Sequence, residues 1–201
     1  MKNEIEERKQ IYRCFSQLLD YPTISLVEQT KICIDLLKTE YSVEHMLNFL
    51  SFVESTPLGR LEEVYTNTFD INPACHIFAG HILFGESFKR GAFMAALSEE
   101  YQTRQFDAGK ELADHIPVLF RFLNTLDSND TFANELIKDC LIPVFEKMNA
   151  NFDDASPNPY IPVLESVLIV LKNVCPDSDS DADEDDNSSS HAIIDIKPIT
   201  D

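Results

Sequence analysis

The chain has 201 residues, 44% of them hydrophobic, with only 5 glycines, no tryptophan, and 35 acidic against 16 basic side chains for a net charge of −19. Its length suits one domain, with or without a tail, and is ample for a sizeable core. Phosphate neutralisation needs a basic face, and no basic cluster longer than Lys89-Arg90 is present. Nucleic-acid binding is therefore excluded as a working class, and the few glycines and absent phosphate-loop pattern weigh against an ordinary nucleotide enzyme.

In chain order, Met1 to Lys9 has mixed charge where a signal peptide would place an apolar run, so a cytoplasmic location is expected. Ile11, Phe15 and Leu18, flanked by Tyr12 and Leu19, lie on one side of a first helix, which Asp20-Tyr21-Pro22-Thr23 interrupts before a second begins. Val43, Met46, Leu47, Leu50 and Val53 predict a helix that Pro57 and Gly59 end, and Leu61, Val64, Tyr65 and Thr68 start another. After a turn at Asp70-Ile71-Asn72-Pro73, the stretch Ala74 to Phe84 is apolar nearly all round, as expected of a buried central helix.

Phe93, Ala96, Leu97 and Tyr101 define the next amphipathic helix, with Phe106-Asp107-Ala108-Gly109 as its exit. Ile116, Leu119, Phe120, Leu123 and Leu126 share one face of the following helix, which Val118 and Phe122 widen. Phe132, Leu136, Leu141, Val144, Phe145 and Met148 form another, bent or split at Pro143. The last carries Leu164, Val167, Leu168 and Leu171 behind Ser156-Pro157-Asn158-Pro159; Ile161 to Val174, with Pro162, Glu165 and Lys172, is too short to span a bilayer. No stretch alternates as a strand would, so the expected fold is all-α: a single bundle of about eight or nine helices.

Residues 1–175 are read as one helical domain and residues 176–201 as an acidic tail. Asp177 to Asp186 holds seven acids, and a run of Asp, Ser and Asn cannot bury enough apolar surface to offset the entropy of ordering, so disorder is expected there. Ala192-Ile193-Ile194-Asp195-Ile196 is apolar enough to dock, against the plainer reading of a frayed end. The tail carries nine acids and one lysine, leaving 26 acids against 15 bases and a body of −11, which is either a solvated surface or attractive to a basic ligand. Cys14, Cys33, Cys75, Cys140 and Cys175 are odd in number, scattered and without a C-x-x-C pair, and read as reduced, mostly core-filling thiols.

The most unusual local string is Glu111-Leu112-Ala113-Asp114-His115-Ile116-Pro117. Asp114 is placed to cap a helix by accepting from the Ile116 N–H, with Pro117 in the first turn where its missing donor is harmless. His115 is not explained by capping, since a helix N-terminus is a poor place for a charged imidazole. As an acid/base dyad, Asp114 and His115 lack an accompanying nucleophile. Cys75, His76 and His81 do not set three ligands on one helix face, so neither a metal nor another cofactor is expected. Among 14 phenylalanines and 6 tyrosines, Tyr65, Phe69, Phe84, Tyr101, Phe120 and Phe122 fall near helix ends or on widened apolar faces, which suit either a core or a groove for a partner helix.

Three ordered stretches resemble the NarJ-type molybdoenzyme assembly chaperones, a branch of the wider TorD/DmsD family of redox-enzyme maturation proteins. They are Leu18-Leu19-Asp20-Tyr21-Pro22; the series Leu61-Glu62-Glu63-Val64-Tyr65, Thr68-Phe69-Asp70, His81, Gly85, Arg90-Gly91, Leu97 and Tyr101; and Glu111 through Leu119, close to that family's hinge motif. Ala113 stands where the family usually has proline. The resemblance implies a non-enzymatic chaperone that binds the N-terminal or signal peptide of a nitrate reductase or related catalytic subunit, supports molybdenum-cofactor insertion, and delays membrane attachment or twin-arginine export. It carries Glu111, Asp114, His115 and Pro117 over as hinge or peptide-recognition residues, alongside Arg90 and the aromatic groove candidates. A monomer or weak dimer is expected, with no nucleic acid and no stable membrane insertion. A helical interaction adaptor, or a hydrolase built on Asp114 and His115, are the alternatives from other classes.

Overall fold

The computed structural model describes residues 2–38, 43–71, 75–127, 129–152 and 158–175. The three- and four-residue apolar spacing is realised as helices α1 (Lys2–Leu18), α2 (Leu26–Leu37), α3 (Glu44–Ser55), α4 (Leu58–Tyr65), α5 (Ala79–Phe84), α6 (Phe88–Thr103), α7 (Ile116–Leu123), α8 (Thr131–Glu135), α9 (Ile142–Ala150) and α10 (Ile161–Val174). The fold is all-α, and no strand occurs among the described residues beyond one isolated bridge between Phe78 and His115. The acidic tail lies outside the described residues.

Local chemistry explains the boundaries. After α1 the Tyr21 N–H donates to the Asp20 carboxylate at 2.8 Å, turning the chain ahead of Pro22. Pro117, Pro143 and Pro162 sit in the first turns of α7, α9 and α10, where no intrahelical donor is needed. Ahead of Pro143 the chain widens into a π-turn, Leu136–Leu141, in which the Ile142 N–H reaches the Ile137 carbonyl. That extra residue absorbs the place where proline would clash with the preceding turn, so the break expected at Pro143 is a π-bulge. A second π-turn, Thr66–Asp70, extends α4, and Asn158 holds it through a 2.8 Å bond to the Thr68 hydroxyl. Asp130 caps α8 by accepting from the Ala133 N–H at 3.3 Å.

α1 packs on α2 and α7, α2 on α3, α3 on α10, α10 on α9, and α5 on α6 and α9. The central helix is α7, seven of whose eight residues are buried. Phe120 meets the rings of Tyr12 and Phe15 on α1 and Phe145 on α9, at 6.2, 5.7 and 6.0 Å. Each such phenylalanine removed from water stabilises the fold by roughly 1.5–3 kcal/mol.

The expectation of a central helix over Ala74 to Phe84 is corrected by the backbone: the helix covers only Ala79–Phe84, and Ala74 lies outside the described residues. Cys75 and Ile77 are buried in backbone outside any α-helix. A stretch of mostly apolar residues shows no polar face whatever its backbone does, so hydropathy cannot separate this case from a buried helix. Four cysteines are buried and Cys175 is half-buried, all as free thiols. No helix among the described residues is long and apolar enough to cross a membrane.

Candidate functional site

The string Glu111 to Pro117 enters α7 beside the extended segment before α5. The Ala79 N–H donates to the Asp114 carbonyl at 2.8 Å, and the Ile116 N–H donates to the Ile77 carbonyl at 2.9 Å, on either side of the Phe78–His115 bridge. Two stretches far apart in sequence are therefore locked together by backbone pairing. The Tyr101 hydroxyl adds a third tie, donating to the Ala113 carbonyl at 2.8 Å.

The pairing overturns the expected capping role of Asp114. The Ile116 N–H is already used by Ile77, and the residue flanking α7 is His115. Asp114 instead accepts from Arg90, at 2.8 Å from Nε and 3.4 Å from Nη2, with its own side chain wholly buried and that of Arg90 19% exposed. The guanidinium also lies over the Phe78 ring, 5.4 Å from its centroid. A two-pronged guanidinium–carboxylate pair fixes both distance and orientation, and so joins α6 to the entry of α7.

Gly80 makes room for this pair. A Cβ there would stand 2.7 Å from the Asp114 Oδ2, 3.0 Å from the Phe93 ring and 3.1 Å from the Arg90 Cγ. Spacing gave no hint of this close approach, although a glycine inside an apolar helix is itself a signal that some neighbour comes near. Gly85 ends α5 at φ 61, a conformation that favours glycine, with its N–H on the His81 carbonyl at 2.8 Å.

His115 is 6% exposed, and its ring packs 5.3 Å from that of Phe78. Burial lowers its pKa below the ordinary histidine value, outweighing the opposing influence of Glu111, Asp20 and Asp114. The imidazole is therefore neutral at pH 7, which suits the positive end of α7 and moves its charge change to the acid side of neutrality. Its Nδ1 is buried without a hydrogen-bond partner among the described residues. A hydrolytic dyad is not formed: the Asp114 carboxylate faces Arg90, and the His115 ring faces Phe78.

Tyr65, Phe69, Tyr101 and Phe120 are buried to 4% exposure or less, whereas Phe84 is half-buried against Phe93, with ring centroids 5.6 Å apart. Tyr65 donates to the Leu19 carbonyl at 3.1 Å and stacks edge-on with Tyr21 at 5.4 Å, bringing the Asp20-Tyr21 turn against the end of α4. Asp20 and Glu111 both act electrostatically on Tyr65 and on His115, so these two acids flank a common surface. Both are exposed, and beside them Tyr21 and Leu112 are 49% and 48% exposed. Phe120 is wholly buried within α7. Arg90, Asp114, Tyr101 and Pro117 thus build the support, while Asp20, Tyr21, Glu111 and Leu112 form the accessible face.

His76 and His81 stack at 4.3 Å, but no group of three or more His, Cys, Asp or Glu able to hold a metal occurs among the described residues. The chain matches the family model described as nitrate reductase delta subunit over residues 37–162, which takes in α3 to α9 and the whole hinge string. No curated protein matches the chain.

Proposed function

The chain belongs to the nitrate reductase delta subunit family of molybdoenzyme assembly chaperones, and we propose that it works by holding the N-terminal segment of a molybdoenzyme catalytic subunit on the face formed by Asp20, Tyr21, Glu111 and Leu112, with His115 buried beside it. The family implies a non-enzymatic role and a catalytic subunit as partner. In this reading the client segment is basic and amphipathic, and is held in the cytoplasm while molybdenum cofactor is inserted and until membrane attachment or twin-arginine export follows. The chaperone acts as a monomer or weak dimer through its helical domain, residues 1–175.

The observation that carries the proposal is the exposed pairing of acid with apolar surface on a braced base. Asp20 and Glu111 offer negative charge, Tyr21 and Leu112 offer apolar contact, and the part-buried Arg90–Asp114 pair fixes the chain just after Leu112 to α6. Complementary charge speeds encounter and fixes register, while the apolar contacts supply affinity for one face of a helix. Buried Tyr65 and Tyr101 act from beneath through their bonds to the Leu19 and Ala113 carbonyls, with Phe69 packed behind Tyr65, whereas Phe120 packs in the core and Phe84 against Phe93.

Isothermal titration with a synthetic N-terminal peptide of the cognate catalytic subunit tests this. Asp20→Lys with Glu111→Lys is expected to weaken binding at least about tenfold, equivalent to about 1.4 kcal/mol. Unchanged affinity in that variant, or equal binding of a generic Leu-rich peptide, contradicts the proposal.

A further inference from the structure

A second surface lies at the opposite end of α7. The first half of α1, the end of α7 with the turn after it, α8 and the end of α10 enclose a shallow groove. Its floor is apolar, with Tyr12, Leu126 and Ile137, and its rim carries Arg8 and Lys9. Ile5, Arg8, Lys9 and Tyr12 fall at three- and four-residue steps, so one stripe of α1 supplies both floor and rim. Asp127 is the one acid in the lining, 4.0 Å from the Lys9 ammonium.

Val174 lines the same groove, so the chain leaves the helical body at its edge. Burial pushes the thiol of the next residue, Cys175, up, the positive charges of Arg8 and Lys138 pull it back, and Asp139 opposes them, which sets two cations and one acid near the exit. Beyond Pro176 the sequence runs through the acids of Asp177 to Asp186 and then Ile193, Ile194, Ile196 and Ile199. On a body of net −11, a groove bordered by Arg8 and Lys9 is the complement of that tail: cations for its acids, an apolar floor for its isoleucines.

We propose that this groove is the docking site for the chain's own C-terminal segment, with the acid run crossing the Arg8 and Lys9 rim and the isoleucines of Ala192 to Ile199 seated on the apolar floor. Residues 176–191 form the tether and span at most roughly 55 Å when extended, ample for a groove that begins at the exit. A tether of this kind holds the segment at a millimolar effective concentration, so individually weak contacts suffice. The basic client segment proposed above is repelled by this rim, whereas the acidic tail is repelled by Asp20 and Glu111. The two ends of α7 therefore take ligands of opposite charge, and the tail proposal stands without the client reading.

Paramagnetic relaxation enhancement on the full chain tests the assignment. A nitroxide at Ser190→Cys, on a Cys175→Ser background, is expected to broaden the amides of Arg8 to Tyr12 and Leu123 to Leu126 selectively. The broadening is expected to vanish when Asp177, Asp179, Asp181, Asp183, Asp185 and Asp186 are changed to Asn and Glu184 to Gln, a variant that leaves the helical body untouched. Arg8→Glu with Lys9→Glu is expected to do the same, as is salt near 1 M, where screening falls to about 3 Å. No selective broadening overturns the proposal, as does broadening that survives the tail neutralisation. Broadening centred on Glu111 to His115 overturns it in favour of the client face. Broadening seen only between labelled and isotope-enriched molecules in a mixed sample overturns it in favour of a second copy of the chain.

Discussion

Removing Arg90 and removing Asp114 break the same ion pair but do not cost the same. The Asp114 side chain is wholly buried, and its two oxygens receive Arg90 at 2.8 and 3.4 Å, whereas the Arg90 side chain keeps 19% of its surface in contact with solvent. Arg90→Ala strands a buried carboxylate, and breaking a buried pair in this way costs about 3–5 kcal/mol. Asp114→Ala leaves a guanidinium that can turn partly to water and keep its contact with Phe78, so the loss is nearer that of a charged hydrogen bond, about 1.5–3 kcal/mol. The double variant has no stranded charge, and its loss is expected to fall short of the sum by about 2 kcal/mol, as coupled neighbours do. Urea midpoints with unchanged m values read all three. Equal single losses below about 1 kcal/mol that add in the double variant would show that the pair does not brace the hinge.

Gly80→Ala places a methyl group against the Asp114 carboxylate and Phe93 and is expected to destabilise by about 1–3 kcal/mol, read from the same midpoints; a change within about 0.5 kcal/mol would refute the close approach. Tyr160 is 1% exposed with a hydroxyl that has no partner among the described residues, so Tyr160→Phe is expected to be neutral or to stabilise by up to about 1 kcal/mol, and a loss above that would contradict the packing. His115 and His81 both have pKa values lowered chiefly by burial, so the folded chain binds fewer protons than the unfolded one below about pH 6.5. Stability is therefore full above the unfolded value and declines as pH falls toward the folded values; urea midpoints at falling pH should drop, less steeply in His115→Gln. A midpoint that rises on acidification would reverse the sign.

Periodicity carried most of the fold. Apolar steps at Ile11, Phe15 and Leu18, or at Leu164, Val167 and Leu171, mark helices because one face must leave water while the other stays in it. The same logic fails for Cys75 to Phe78, in which Cys75 and Ile77 are buried and His76 and Phe78 half-buried, and which pairs with the hinge string through backbone groups that no side-chain pattern records. Asp114 and Pro117 were legible as an entry to α7, yet the partner of Asp114 was not. A cap is a local contact that sequence distance reveals, whereas Arg90 comes from the preceding helix and is brought near only by folding. Asp20 illustrates the same limit: its turn was visible at Tyr21-Pro22, and its place beside Glu111 and His115 depends on how α1 meets α4. Aromatic residues at helix ends read equally as groove or core, and burial separates Tyr65, Phe69, Tyr101 and Phe120 from the exposed Tyr21.

The central claim is a location, and chemical-shift mapping of the full chain against the N-terminal peptide of its cognate catalytic subunit tests it most directly. The account predicts the largest perturbations at Asp20 and Tyr21, Glu111 and Leu112, and His115, with the groove along Arg8 to Tyr12 unmoved. Perturbations concentrated on that groove, with the Asp20 and Glu111 face unchanged, would contradict it.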